Sequence, residues 1–159
     1  MEIKTSPSLK VLYSTHQTSI PKLSQFVGTV VKELYAEAVS ANVLISGPPY
    51  WIYKGMDGRE DTVFTLEIAI PVQGSINSKK FKVKELPPFR SVSHVHEFAW
   101  DNLPATYGQI MQYIALNKLG VTNECREVYL NIDFNQPLNN RTEVQMGIKQ
   151  VIPEAGSSF

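Results

Sequence analysis

Apolar positions recur along the chain with two different periods, and the switches between them divide it into two halves of like order. Residues 9–16 (LKVLYSTH) hold apolar and aromatic residues without a breaker and predict a strand. Over 21–41, Leu23, Phe26, Val27, Val30, Val31 and Leu34 recur three and four residues apart, which predicts a helix with one continuous apolar face. Ser19 suits its cap and Pro21 its first turn. The stretch SGPP at 46–49 breaks this pattern. YWIYK at 50–54 and TVFTLEIAI at 62–70 then predict two strands joined by the hairpin loop GMDGRED, with Pro71 ending the second.

After a polar link at 73–80 (QGSINSKK) the same order returns. Residues 81–96 predict one long strand or a pair broken near Pro87 and Pro88. Residues 101–119 predict a helix with Leu103, Tyr107, Ile110, Met111 and Ile114 on its core face, Asp101 as cap and Gly120 at its end. CREVYLNI at 125–132 and TEVQMGIK at 142–149 predict strands joined by DFNQPLNNR. Each half is thus a β-α-β-β unit, about 8–72 and about 80–152, followed by a tail at 153–159, and we read 1–159 as one domain. His16 with His96, Trp51 with Glu127, and Ile70 with Ile148 stand at similar separations, although few residues are identical between the halves. Neither unit covers its own sheet edge. The expected fold is therefore α+β: duplicated βαββ units with pseudo-twofold symmetry, an antiparallel sheet, both helices on one face and a ligand groove on the other.

Strand alternation then assigns residues to that groove. Val128, Leu130 and Ile132 point one way and Glu127, Tyr129 and Asn131 the other. If the aliphatic set lies under the helices, Glu127 and Tyr129 face the open side. Ile52 likewise points to the core, with Trp51 and Tyr53 opposite. In the partner strand Phe64, Leu66, Ile68 and Ile70 form one face, which leaves Glu67 with Val63, Thr65 and Ala69 on the other. The expected open face holds Trp51, Tyr53, Tyr129, Glu127 and Glu67. Arg126 should point away, so Glu127 is an acid without a basic neighbour on its strand face. A carboxylate among aromatic rings suits an organic cation, or acid–base work once burial raises its proton affinity. A solvated strand carboxylate is the plain alternative.

Composition narrows the classes. The chain has 159 residues, 43% hydrophobic and 19% charged, an ordinary globular balance. Lys plus Arg and Asp plus Glu each number 15, so there is no basic surplus for direct nucleic-acid binding. One cysteine, Cys125, permits no intramolecular disulfide and reads as a small buried hydrophobe. No apolar run approaches the roughly 20 residues of a membrane span, and MEIKTSPSLK lacks the core of a signal peptide, so a soluble, cytoplasmic protein is expected. His94 and His96 share a strand face at a spacing able to hold a metal. Glu97 faces away and His16 lies in the other half, so no metal and no cofactor are expected. GMDGRE is too short for a calcium loop, and no glycine-rich phosphate loop is present.

The double βαββ order, with GPPYWIYKG and FTLEIAIPV in the first half and REVYLNIDF and TEVQMGI in the second, resembles the gyrase-inhibitor-like (GyrI-like) small-molecule-binding domains. These domains also form the effector-binding half of bacterial transcription activators of the AraC and MerR types, and the wider fold includes haem-binding SOUL-type proteins. The resemblance runs from about residue 8 to 152, and its most specific feature is Glu127-x-Tyr129 inside the last hairpin. It implies a pseudo-twofold α+β fold with a central groove for hydrophobic, often cationic, compounds. It makes Glu127 the charge-selecting residue, Tyr129 its neighbour, and Trp51 and Tyr53 pocket walls. The turn before each helix departs from the family's Gly-Pro-Tyr-like stretch, reading HQTSIPK and HEFAWDN, so that Phe98 and Trp100 are expected to fill that space.

Three roles follow. The first is a binding module, a sensor or sequestering protein for a hydrophobic or cationic small molecule. With a strand starting by about residue 9, no helix-turn-helix precedes it in this sequence, so we read a stand-alone form without direct DNA contact that acts through a protein partner or by sequestration. A homodimer is left open. The second is an enzyme: stand-alone members of the family include hydrolases that open reactive cyclopropyl groups, where Glu127 would activate water and Tyr129 would orient the substrate or donate a proton. The third is a protein-interaction role such as gyrase inhibition. A net charge of zero weakens it, because mimicry of DNA favours an acidic surface.

Overall fold

The computed structural model describes residues 1–150; the expected tail at 153–159, and the last residues of the second unit, lie outside the described residues. Nine strands and two α-helices are present among the described residues: β1 (Glu2–Ser6), β2 (Leu9–Thr18), α1 (Val30–Ser40), β3 (Leu44–Ile45), β4 (Tyr50–Lys54), β5 (Phe64–Gln73), β6 (Lys82–Leu86), β7 (Phe89–Glu97), α2 (Leu103–Leu116), β8 (Val121–Asn131) and β9 (Arg141–Ile148). They form one curled antiparallel sheet in the order β1-β7-β9-β8-β4-β5-β2-β6, with β3 paired to β5. The fold is α+β. The first unit supplies β4-β5-β2 and the second β7-β9-β8, and they meet at the β4–β8 seam. The outermost strands cross over, β1 pairing with β7 and β6 with β2. No helix among the described residues is long and apolar enough to cross a membrane.

Prolines mark several joints. Pro87 and Pro88 split the expected long strand into β6 and β7, since neither can donate to a ladder. Pro71, expected to end a strand, instead sits inside β5. Its carbonyl accepts from Ser46 N–H at 3.0 Å, on the side where β4 pairs no further than Ala69 and β3 begins only at Val72. Its missing N–H therefore falls in a gap between two neighbours and breaks no ladder bond.

The first predicted helix is also divided. Ile20–Phe26 is a 3-10 segment without a buried residue, Gly28 takes the left-handed conformation (φ 76°), and α1 begins only at Val30. Ser19 does open that 3-10 segment, but its hydroxyl caps nothing. In the second unit Asp101 lies inside the short turn Trp100–Asn102 and does not cap α2, which Asn102 precedes, and Lys118 rather than Gly120 takes the left-handed position past its end (φ 54°).

Both helices lie on one face of the sheet. Leu34 and Ala38 of α1 and Ile110 and Ile114 of α2 share a core with Leu12, Leu66, Ile68, Ile70, Val144 and Ile148. α1 rests on β5 and β2, and α2 on β7, so they straddle the β4–β8 seam and leave it open between them. The groove therefore lies on the helix-bearing face, which corrects the expectation of a groove on the helix-free side. The helix-free face is closed by its own apolar cluster of Val11, Ile52, Ala69 and Leu86, flanked by ion pairs. A curled sheet buries both faces, so the more aliphatic side of a strand does not identify the helix side.

Candidate functional site

Strand register at the seam decides which side chains enter the groove. Trp51 pairs with Glu127 and Tyr53 with Cys125, all on the helix-bearing face. Across β4 and β5, Trp51 pairs with Ile68 and Ile52 with Glu67. Glu67 thus shares the face of Ile52, not that of Trp51. It is buried on the helix-free side, where Lys84 binds it at 2.6 Å and Lys54 at 3.0 Å, and the structure does not bring it together with the other four candidates. Arg126 points away from Glu127 as expected, pairing with Glu124 at 2.7 Å and lying 3.9 Å above the Phe89 ring.

Trp51, Tyr53, Glu127 and Tyr129 line one cavity of about 1130 Å³ between the helices. Its walls are mostly apolar. Leu23, Val27 and Val31 from the first helical region and Met111 from α2 face it, so part of each apolar stripe that reads as core is cavity wall. Exposure agrees, with Val27 at 41% and Met111 at 43%.

Glu127 lies at the cavity's floor, 4% exposed. Oε1 accepts from the Tyr53 hydroxyl at 3.0 Å and from the Tyr129 hydroxyl at 2.5 Å, while Oε2 accepts from the Tyr107 hydroxyl of α2. No Lys or Arg pairs with it among the described residues. Burial raises the proton affinity of the carboxyl, and the three phenol bonds offset part of that rise. Burial holds all three phenols well above their ordinary range, with the Glu127 charge adding to it, so they remain donors. Such a site keeps a carboxylate hydrogen-bonded but not charge-neutralised.

The aromatic frame is interlocked. Tyr129 meets the edges of Trp51 (centroids 5.9 Å apart) and Trp100 (5.8 Å). Its backbone N–H donates to Pro49 O at 3.0 Å. Trp100 Nε1 donates to Thr142 Oγ1 at 3.0 Å, which fixes the indole beside the cavity, where the departing turn sequence led us to expect it. Phe98 lies apart from the cavity lining, 44% exposed and in the left-handed region (φ 77°).

Tyr107 is the Glu127 partner that sequence reasoning missed. It falls on the apolar stripe of α2 and reads as core; the available signal was its hydroxyl, which once buried needs a partner. Tyr35 of α1 also lines the cavity, with burial raising its phenol.

The remaining candidates are engaged elsewhere. His96 is buried; Nδ1 meets Thr106 Oγ1 at 2.6 Å and Nε2 meets Ala99 O at 2.7 Å. Since Ala99 O can only accept, Nε2 donates to it. His16 Nε2 meets Ser14 Oγ at 2.6 Å. No group of three or more metal-type side chains gathers among the described residues. Cys125 is buried and its thiol is pushed far up by burial, which leaves it without nucleophilic character. In the β4–β5 loop Asp57 accepts from Arg59 N–H at 3.0 Å and Thr62 Oγ1 at 2.9 Å, and it faces the cavity's mouth.

Comparison with known proteins places this geometry. A family model described as a GyrI-like small molecule binding domain matches residues 1–149. No curated protein matches the sequence. Among solved structures, the EcmrR C-terminal domain is 19% identical, with 94% of this chain and 97% of that one covered and a TM-score of 0.74. SAV2435 bound to tetraphenylphosphonium is 17% identical over 93% of each chain, with a TM-score of 0.63. A hydrolase from Listeria innocua is 13% identical over 93% of this chain and 91% of that one, with a TM-score of 0.67.

Proposed function

This chain belongs to the GyrI-like small-molecule-binding domain family, and on that premise we propose that its cavity takes a hydrophobic organic cation, with Glu127 selecting the charge and Trp51, Tyr53 and Tyr129 forming the walls. The protein then acts as a sensor or sequestering protein for that ligand. One observation carries the reading: a buried carboxylate without a basic partner among the described residues, at the floor of an apolar, aromatic cavity. An incoming cation supplies the missing counter-charge, and ring faces attract it as it is desolvated. A volume of about 1130 Å³ suits a multi-ring compound, and a neighbour of this fold holds tetraphenylphosphonium.

The test is titration of wild type and Glu127→Gln with tetraphenylphosphonium and with triphenylphosphine oxide, a neutral compound of similar rings. Wild type should prefer the cation, and the variant should lose that preference while retaining the neutral compound. Equal preference in the two proteins rejects the reading.

A second reading has its own observation, the raised proton affinity of Glu127 beside the Tyr129 hydroxyl. It makes the site a hydrolase for strained-ring electrophiles such as cyclopropyl xenobiotics. Glu127 takes a proton from water as the oxygen adds to the ring, and Tyr129 donates one to the group the opening ring releases. Consumption of such a compound at equal rates by wild type and Glu127→Gln rejects it.

A further inference from the structure

At the cavity's rim the two halves approach each other. Phe134, in the loop between β8 and β9, is 63% exposed and lines the cavity. Gly28, exposed in the turn before α1, lines it as well. The Phe134 Cζ atom lies 3.8 Å from where a β-carbon on Gly28 would stand, so the ring reaches from the second half onto the first. Both residues are exposed and both line the cavity, which puts their approach at its entrance.

The two sides of this approach differ in how they are held. The Phe134 loop is braced: the Asp133 carboxylate accepts from Asn135 N–H and Gln136 N–H at 2.9 Å each and from Asn139 Nδ2 at 3.0 Å, and Asp133 N–H donates to Asn140 Oδ1 at 2.7 Å. The ring itself rests edge-on against Trp100 at 5.9 Å. The facing turn is held less firmly. Its 3-10 segment buries no residue, and Val27 N–H and Thr29 N–H reach their acceptors at 3.4 and 3.5 Å, the long end of hydrogen bonding. Edge-to-face contacts continue inward from Phe134 through Trp100 and Tyr129 to Trp51, so a ring at the entrance joins the frame that holds the Tyr129 hydroxyl on Glu127.

The geometry points to Phe134 as an access gate: its ring narrows the entrance against the Gly28 turn, and movement of that turn, or of the ring, widens the path for the ligand. The gate rests on the reading of the cavity as a ligand site, and it adds a residue that sets the rate of passage rather than the strength of binding. A wall contact stabilises the bound state and changes dissociation alone, whereas a gate lies on the path in both directions and changes entry and exit together.

The experiment is stopped-flow binding of tetraphenylphosphonium, read by the fluorescence of Trp51 and Trp100, with wild type, Phe134→Ala and Phe134→Trp. Exposure of the side chain makes both variants compatible with folding. Phe134→Ala should raise association and dissociation rates together, roughly threefold to tenfold as expected for one aromatic edge contact, with little change in Kd. Phe134→Trp should slow both. A rise in dissociation alone, or unchanged rates in the two variants, overturns the gate and leaves the ligand reading standing. Failure of wild type to bind any cationic or neutral aromatic overturns both.

Discussion

Tyr53 donates its hydroxyl hydrogen to Oε1 of Glu127 at 3.0 Å, reaching from the first half of the sheet to the second across the β4–β8 seam. The carboxylate is therefore held by both halves, and Tyr107 adds a third hold from α2. Each donor stabilises the ionised form against burial, and removing one tips the balance toward the protonated acid.

Tyr129→Phe deletes the 2.5 Å donor and leaves the ring in place. Hydrogen bonds to a charged group contribute about 1.5–3 kcal/mol, so the carboxyl of the variant should hold its proton to higher pH. Cation affinity should fall below that of wild type at pH values where the variant has regained its proton and wild type has not, and recover in more alkaline buffer. Binding isotherms across pH check this; a loss that alkali does not restore assigns Tyr129 to ring contact with the ligand instead.

The pH dependence of stability has a definite sign. Glu127 holds its proton more tightly in the fold than at its ordinary value of 4.5. A raised value contributes stability that is fully present below pH 4.5 and is lost as pH rises through the folded-state titration. Glu127→Gln stays neutral throughout. The Tm of the variant should therefore gain on that of wild type as pH increases above about 4.5, by about 2–4 °C for each kcal/mol of ionisation cost. Parallel Tm curves would show that Glu127 titrates as it does in the unfolded chain.

A permanent cation reverses that trend. Tetraphenylphosphonium carries its charge at every pH, so its affinity should climb over the interval in which Glu127 ionises and level off above it. The stabilisation it confers should grow in step, read as ligand-induced Tm shifts at fixed concentration. An affinity that rises nowhere above pH 4.5 would remove the carboxylate from recognition.

Much of this arrangement is legible in the sequence. The order of strands and helices, the break at Pro87 and Pro88, and the placing of Trp51, Tyr53, Glu127 and Tyr129 on one face follow from period and breakers. The side on which that face lies is not legible. Alternation along a strand fixes which residues share a face but gives no label to it, and here Ile52 and Val11 form a second apolar cluster opposite the helices. Glu67 went astray for the same reason, because its face depends on the Ile52–Glu67 register and not on its own strand. The stripe of Leu23, Val27 and Val31 misleads differently: an apolar cavity wall has the periodicity of a core. β1 and β3 escape notice because short, exposed strands carry no alternation to detect.

Glu67 supplies the control that separates the two faces. Burial alone would raise its carboxyl, but Lys84 and Lys54 outweigh burial and hold it below 4.5, and the Lys84 ammonium also sits 4.3 Å over the Tyr13 ring. A lowered value contributes stability above pH 4.5 that is lost as pH falls through the folded-state titration, the opposite sign to Glu127. Glu67→Ala strands two lysines against an apolar face. It should cost about 1–3 kcal/mol at pH 7, less than a fully buried pair because Lys54 and Lys84 both reach solvent. The penalty should shrink in acid, where wild type gives up the same pairs. Cation affinity should stay within about twofold of wild type, since the side chain lies across the sheet from the cavity and a separated site couples weakly. Denaturation at pH 4 and 7, with tetraphenylphosphonium titration at pH 7, checks both; a tenfold loss of cation affinity would place the selecting charge on the helix-free face and not at Glu127.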